Sequence, residues 1–77
     1  MDVSLADKLK ELRKAKKISQ EKLAEYLGVS YQAVSKWENG VTSPDVLLLP
    51  DIARYYGITV DELLQVEKLD ERVFRRM

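Results

Sequence analysis

Apolar positions along the chain recur at intervals of three and four and are broken by short polar or glycine-bearing stretches. That is the pattern of short amphipathic helices rather than of strands. Leu5, Leu9 and Leu12 form the first stripe. Ser4, with Asp7 three residues on, gives it a capping-box-like start, and the spacing predicts a helix from Leu5 to about Lys16. Ser19 is placed to cap a second helix, Gln20 to Leu27, with Leu23, Ala24 and Leu27 inward and Gly28 as a left-handed stop. Ser30 opens a third, Tyr31 to Glu38, which turns Ala33, Val34 and Trp37 inward and ends at Asn39-Gly40, both tolerant of the left-handed conformation.

Beyond Gly40 the pattern loosens and then resumes. Ser43 is expected to cap the next element, with Pro44 near its first position. Pro50 lacks an amide and crowds the preceding turn, so an irregular or short turn is expected near Asp45 to Leu48 and a regular helix from about Leu49. Leu48, Leu49, Ile52, Ala53 and Tyr56 face the core on this reading, Gly57 ends the helix, and Ile58 is a buried plug. Thr59 and Glu62 make a second capping box for a fifth helix, Val60 to about Val66, which buries Leu63 and leaves Leu64 between core and surface. Residues 1–66 thus read as one domain of five helices. In the tail, 67–77, Leu69, Val73, Phe74 and Met77 keep helical spacing, compatible with a sixth helix, a dimer contact or the start of a longer protein.

Composition narrows the classes. A chain of 77 residues buries only about 60% of its unfolded surface, so its core must be compact. It has no cysteine and no histidine, which excludes disulfides and the usual zinc sites and removes the commonest catalytic bases and nucleophiles. With no phosphate-cradling glycine loop either, it is not expected to be an enzyme, and no cofactor or metal is implied. No stretch approaches the roughly 18 apolar residues of a membrane span, and MDVSLADKLKELRK lacks the apolar region of a signal peptide, so a soluble, cytoplasmic protein is expected.

Net charge is zero and the sequence pI about 6.2, yet the charges are unevenly placed. Residues 8–22 carry Lys8, Lys10, Arg13, Lys14, Lys16, Lys17 and Lys22 against Glu11 and Glu21, whereas residues 41–77 hold five basic and seven acidic side chains. A positive end and a negative end would orient the chain on a polyanion through local field rather than net charge. The lysines that end the first helix also suit its negative pole, and both readings stand.

Two short helices joined by a three- to four-residue turn containing glycine have helix-turn-helix geometry. At this point the residues themselves become recognisable. SQEKLAEYLGVSYQAVSKWENG resembles the helix-turn-helix of Cro/C1-type (XRE) DNA-binding domains, the five-helix fold of lambdoid phage repressors and many small bacterial regulators. SPDVLLLPDIARYYGITVDELL is similar to that family's fourth and fifth helices, so the likeness runs over roughly residues 5–66. It implies an all-α, compact five-helix bundle and a sequence-specific double-stranded-DNA-binding regulator, expected to be a repressor.

A B-DNA major groove, about 12 Å wide, admits one helix, whose N-terminal side chains reach the base edges. Here those are Tyr31 and Gln32, then Ser35 and Lys36 one turn later. Gln32 can pair with adenine, Lys36 can reach guanine or a phosphate, Ser35 can donate or accept, and Tyr31 offers its ring to a thymine methyl or its hydroxyl to phosphate. The resemblance further implies that Gln20 meets a phosphate and braces the reading glutamine. It places Asn39, Thr42 and Ser43 where backbone amides and polar side chains grip phosphates, with Lys22 and Lys17 as weaker candidates. Arg13 and Glu38 match positions that in phage repressors form a largely buried ion pair.

Trp37 could stack on bases but lies on the inward stripe, where packing is favoured. Tyr55 and Tyr56 are read as packing, with Tyr55 at a potential subunit contact. A homodimer on a palindromic operator is expected, joined through helix 60–66 and the tail, where Leu64, Leu69, Val73 and Phe74 would otherwise expose apolar surface. The competing reading is an antitoxin or protein-interaction module on the same fold, because fold does not settle function.

Overall fold

The computed structural model describes residues 4–64. Five α-helices follow one another: α1 (Leu5–Lys16), α2 (Gln20–Leu27), α3 (Tyr31–Glu38), α4 (Leu49–Tyr56) and α5 (Val60–Leu64), with a 3₁₀ turn at Val46–Leu48 leading into α4. No strand occurs among the described residues. The expected continuation of α5 to Val66 and the whole tail lie outside them.

Four of the five helices, α1, α2, α3 and α5, begin on a side-chain cap; α4 has none and follows from the 3₁₀ turn. Ser4, Ser19 and Ser30 sit in extended conformation and their hydroxyls accept the amides of Asp7, Lys22 and Ala33. Thr59 and Glu62 close a reciprocal box: Glu62 N–H donates to Thr59 Oγ1 at 3.0 Å and Thr59 N–H to Glu62 Oε1 at 2.8 Å. Ser43 does not cap the element that follows it. Asp45 does, accepting Leu47 N–H at 2.9 Å, because the carboxylate stands directly before the 3₁₀ turn and Pro44 is buried ahead of it. Pro50 falls in the first turn of α4, where its missing amide has no intrahelical partner to lose.

The first four helices also end alike. In each, a residue with left-handed backbone is followed by an apolar one whose amide reaches back five residues: Ile18 to Arg13, Val29 to Ala24, Val41 to Lys36 and Ile58 to Ala53. Glycine fills the left-handed position in α2, α3 and α4; in α1 it is Lys17, at φ +59°. In α3 that residue is Gly40, while Asn39 stays at φ −95°, so only the second of the two expected residues turns left-handed.

The five largest fully buried side chains come one from each helix: Leu9, Leu23, Val34, Ile52 and Leu63. Each contributes about 1.5 to 3 kcal/mol of burial, so every element is tied to one core. Trp37 is 6% exposed and belongs to that core, as the inward stripe predicted. Leu64 lies outside it, 41% exposed. α2 and α3 pack on each other, α1 bridges α3 and α5, and α4 packs on α5. A polar and aromatic clasp adds to the join between α1 and α4. Lys16 Nζ donates to the Tyr55 carbonyl at 3.2 Å and stands 5.0 Å from the Tyr55 ring centroid, which in turn lies 4.4 Å from that of Tyr26.

Candidate nucleic-acid interface

α3 divides its residues cleanly. Val34, Trp37 and Glu38 are buried, Ala33 is half-buried, and Tyr31, Gln32 and Lys36 are exposed on the opposite side. Tyr31 keeps 47% of its surface. Ser30 caps this helix, so its first turn carries an exposed tyrosine and glutamine where a groove-inserted helix meets base edges. Ser35 differs from its neighbours: it is half-buried, and the Asn39 side-chain amide donates to its hydroxyl at 3.4 Å.

Beyond α3, Thr42 and Ser43 are exposed. The amides of Val41 and Thr42 both point back to the Lys36 carbonyl, at 2.9 and 3.4 Å, because they complete the helix ending. Hence the backbone amides expected to hold phosphate here are already engaged at these two positions, and side chains remain. Lys17 and Lys22 are exposed at the two ends of the α1–α2 connection.

Behind the polar face lies a charged network. Glu38, only 3% exposed, receives Arg13 Nε on Oε2 at 2.7 Å and Arg13 Nη2 on Oε1 at 3.1 Å. Arg13 Nη1 also donates to the Ile18 carbonyl at 2.8 Å, which ties down the chain just after the left-handed Lys17. Two parallel bonds in a dry site form the strongest ion-pair geometry available to arginine. Hydrogen bonding to Glu38 raises the Arg13 pKa further above its ordinary value.

Gln20 joins the same carboxylate, its Nε2 3.2 Å from Glu38 Oε1. In the structure this amide braces Glu38. Nothing in the sequence spacing signals that contact, since Gln20 and Glu38 are 18 residues apart and meet only because α2 and α3 cross. The Tyr56 hydroxyl is also enclosed and has no hydrogen-bond partner among the described residues. Burial, with Glu38 nearby, raises its pKa well above the usual phenol value.

Among the described residues no group of acidic side chains could hold a metal ion, and no helix is long and apolar enough to cross a membrane. The arrangement presents hydrogen-bonding side chains on a rigid helix, next to a helix N-terminus and a run of lysines. That set suits a polyanion with readable edges.

Comparison with known proteins points the same way. A helix-turn-helix family profile matches residues 9–63. The HTH-type transcriptional activator BcrR of Enterococcus faecalis is 46% identical over 63 residues, covering 82% of this chain and 31% of BcrR. The SPbeta prophage-derived HTH-type transcriptional regulator YonR of Bacillus subtilis is 34% identical over 59 residues, 77% of this chain and 55% of YonR. The chain therefore spans a little under a third of one of these curated relatives and a little over half of the other. Among solved structures, the P22 c2 repressor in complex with a synthetic operator superposes with a TM-score of 0.76 at 30% identity, covering 82% of this chain and 96% of the chain in that structure.

Proposed function

We propose that this chain, which belongs to the helix-turn-helix family of Cro/C1 (XRE) type, is a transcriptional regulator that reads double-stranded DNA by laying α3 in the major groove. The observation that carries the reading is the division of α3, whose polar side stands free while Val34, Trp37 and Glu38 lock the other side to the core. On this reading Tyr31, Gln32 and Lys36 meet base edges, and Ser35 acts with Asn39 as one hydrogen-bonded unit. Gln20, Thr42, Ser43, Lys17 and Lys22 contact phosphates. The regulator works where the DNA is, in the cytoplasm, and represses by occupying its operator. Activation is the second reading, supported by the activator at 46% identity.

We further infer a homodimer on a palindromic operator, joined through α5 and the residues after it; the exposed Leu64 supports this. Fluorescence anisotropy with a mixed-sequence duplex at two salt concentrations tests DNA binding. Phosphate-driven association must weaken steeply as salt rises. Absence of binding at low salt would sink the reading in favour of a protein-interaction module.

A further inference from the structure

We propose that Glu38 is a positioning residue for the phosphate-facing end of α2, acting through the side-chain amide of Gln20; the inference rests on the DNA-binding reading above. Gln20 is the first residue of α2, and its amide can be turned so that either the NH₂ or the carbonyl lies between Glu38 and a phosphate at the helix start. Only an N–H can approach a phosphate, which accepts hydrogen bonds and donates none.

The buried carboxylate decides between the two. Glu38 is likewise an acceptor only, so it must be met by N–H, and it is: Gln20 Nε2 stands 3.2 Å from Oε1 while Arg13 holds both oxygens from the other side. A flipped amide would set carbonyl against carboxylate in a site that is 3% exposed. With one hydrogen of Nε2 on Glu38, the second has no acceptor among the described residues and is left to donate. Beside it are the backbone amides of the first turn of α2, which no intrahelical bond uses. Ser19 has already taken the Lys22 amide at 3.0 Å.

Glu38 is also the last residue of α3, and Arg13 belongs to α1. One carboxylate therefore joins the reading helix, the phosphate-facing helix and the first helix. A phosphate held by Gln20 is connected through Glu38 to the end of α3, which sets the height of that helix above the backbone. Glu38 need touch no DNA to do this.

A double-mutant design on the full chain tests it. Removing Glu38 alone strands Arg13 and endangers the fold, so the background is Arg13→Met with Glu38→Met, which replaces the pair by apolar side chains of similar length. Binding is measured by anisotropy on a duplex taken from random-pool selection and on a mixed-sequence duplex, well below the melting temperature of each variant. Gln20→Ala in the natural chain should weaken both about tenfold, the loss of one charge-assisted bond. In the Met/Met background the affinity should already be lower by that factor, and Gln20→Ala should cost nothing more. Equal effects of Gln20→Ala in both backgrounds would overturn the inference.

The free protein supplies an independent readout. The Gln20 side-chain NH₂ resonances should be displaced from those of the other glutamines by the carboxylate, and should return among them in the Met/Met variant. Undisplaced resonances in the natural chain would overturn the inference even if DNA is bound. A natural chain that shows the displacement but binds neither duplex at low salt removes the DNA-binding reading, and the proposal with it.

Discussion

At the residue scale, three side chains are held in ways that make sharp predictions. Glu38 carries two arginine bonds and one glutamine bond in a dry site. Glu38→Ala leaves the half-buried Arg13 guanidinium without its anion, and should cost about 3 kcal/mol, read as a lower denaturant midpoint. An unmoved midpoint would mean the pair is idle. Among the described residues Lys17 is the one non-glycine residue in a left-handed helix ending, at φ +59°. Lys17→Gly should therefore stabilise by up to about 1 kcal/mol, the relief of left-handed strain less the entropy glycine loses on folding. Tyr56 has an enclosed hydroxyl without a partner among the described residues, and burial raises its pKa. A group whose folded pKa is raised contributes stability that is complete below its unfolded value, near 10 for a phenol, and lost as pH rises toward the folded one. Stability should thus fall as pH rises above about 10 in the natural chain. Tyr56→Phe should remove that part of the fall and, at neutral pH, raise stability by about 1 kcal/mol. Denaturant titrations of both proteins at neutral and alkaline pH check the two effects together.

At the element scale, much was legible in the sequence because helix ends are written locally. Ser4, Ser19, Ser30 and Thr59 start helices, Gly28, Gly40 and Gly57 end them, and each device acts within a few residues of itself. The inward stripes were legible for the same reason. Contacts and backbone choices decided by tertiary position were not. Lys17 turns left-handed because Arg13, already bound to Glu38, also takes the Ile18 carbonyl, a demand no propensity for lysine expresses. Asp45 displaces Ser43 as the cap because its carboxylate stands directly before the 3₁₀ turn, with Pro44 buried ahead of it. The exposed side of α3 was legible as polar, but the pairing of Ser35 with Asn39 and the turning of Gln20 toward Glu38 needed the helix crossing. Those distinctions separate outcomes along the interface. Gln32→Ala should relax preference at one base pair, costing about 1 to 3 kcal/mol on a selected operator and little on mixed DNA. Lys22→Ala should weaken both duplexes alike and reduce the salt slope by about one. Matched salt titrations of the two variants distinguish reading from anchoring.

At the scale of the molecule, zero net charge and a basic stretch at 8–22 set opposite expectations for affinity. Within a Debye length, about 10 Å at 0.1 M salt, a phosphate near α2 feels the nearby lysines rather than the whole chain. One domain of this kind has few contacts with which to hold an operator, and joining two copies removes that weakness without any new base contact. Once one copy is bound, the second meets its half-site, about one helical turn away, at an effective concentration set by the link between them. Leu64, exposed at the end of the described α5, is the apolar side chain on which this argument can be tried. Leu64→Lys should leave binding to a single half-site duplex nearly unchanged, since the residue belongs to neither the α3 face nor the start of α2. Binding to the palindrome should fall toward that half-site value, and sedimentation of the variant at tens of micromolar should give a monomer where the natural chain gives a dimer. Equal affinity of the natural chain for palindrome and half-site, together with a monomeric mass, would show that each copy reads DNA alone. The exposed Leu64 would then have no part in operator choice.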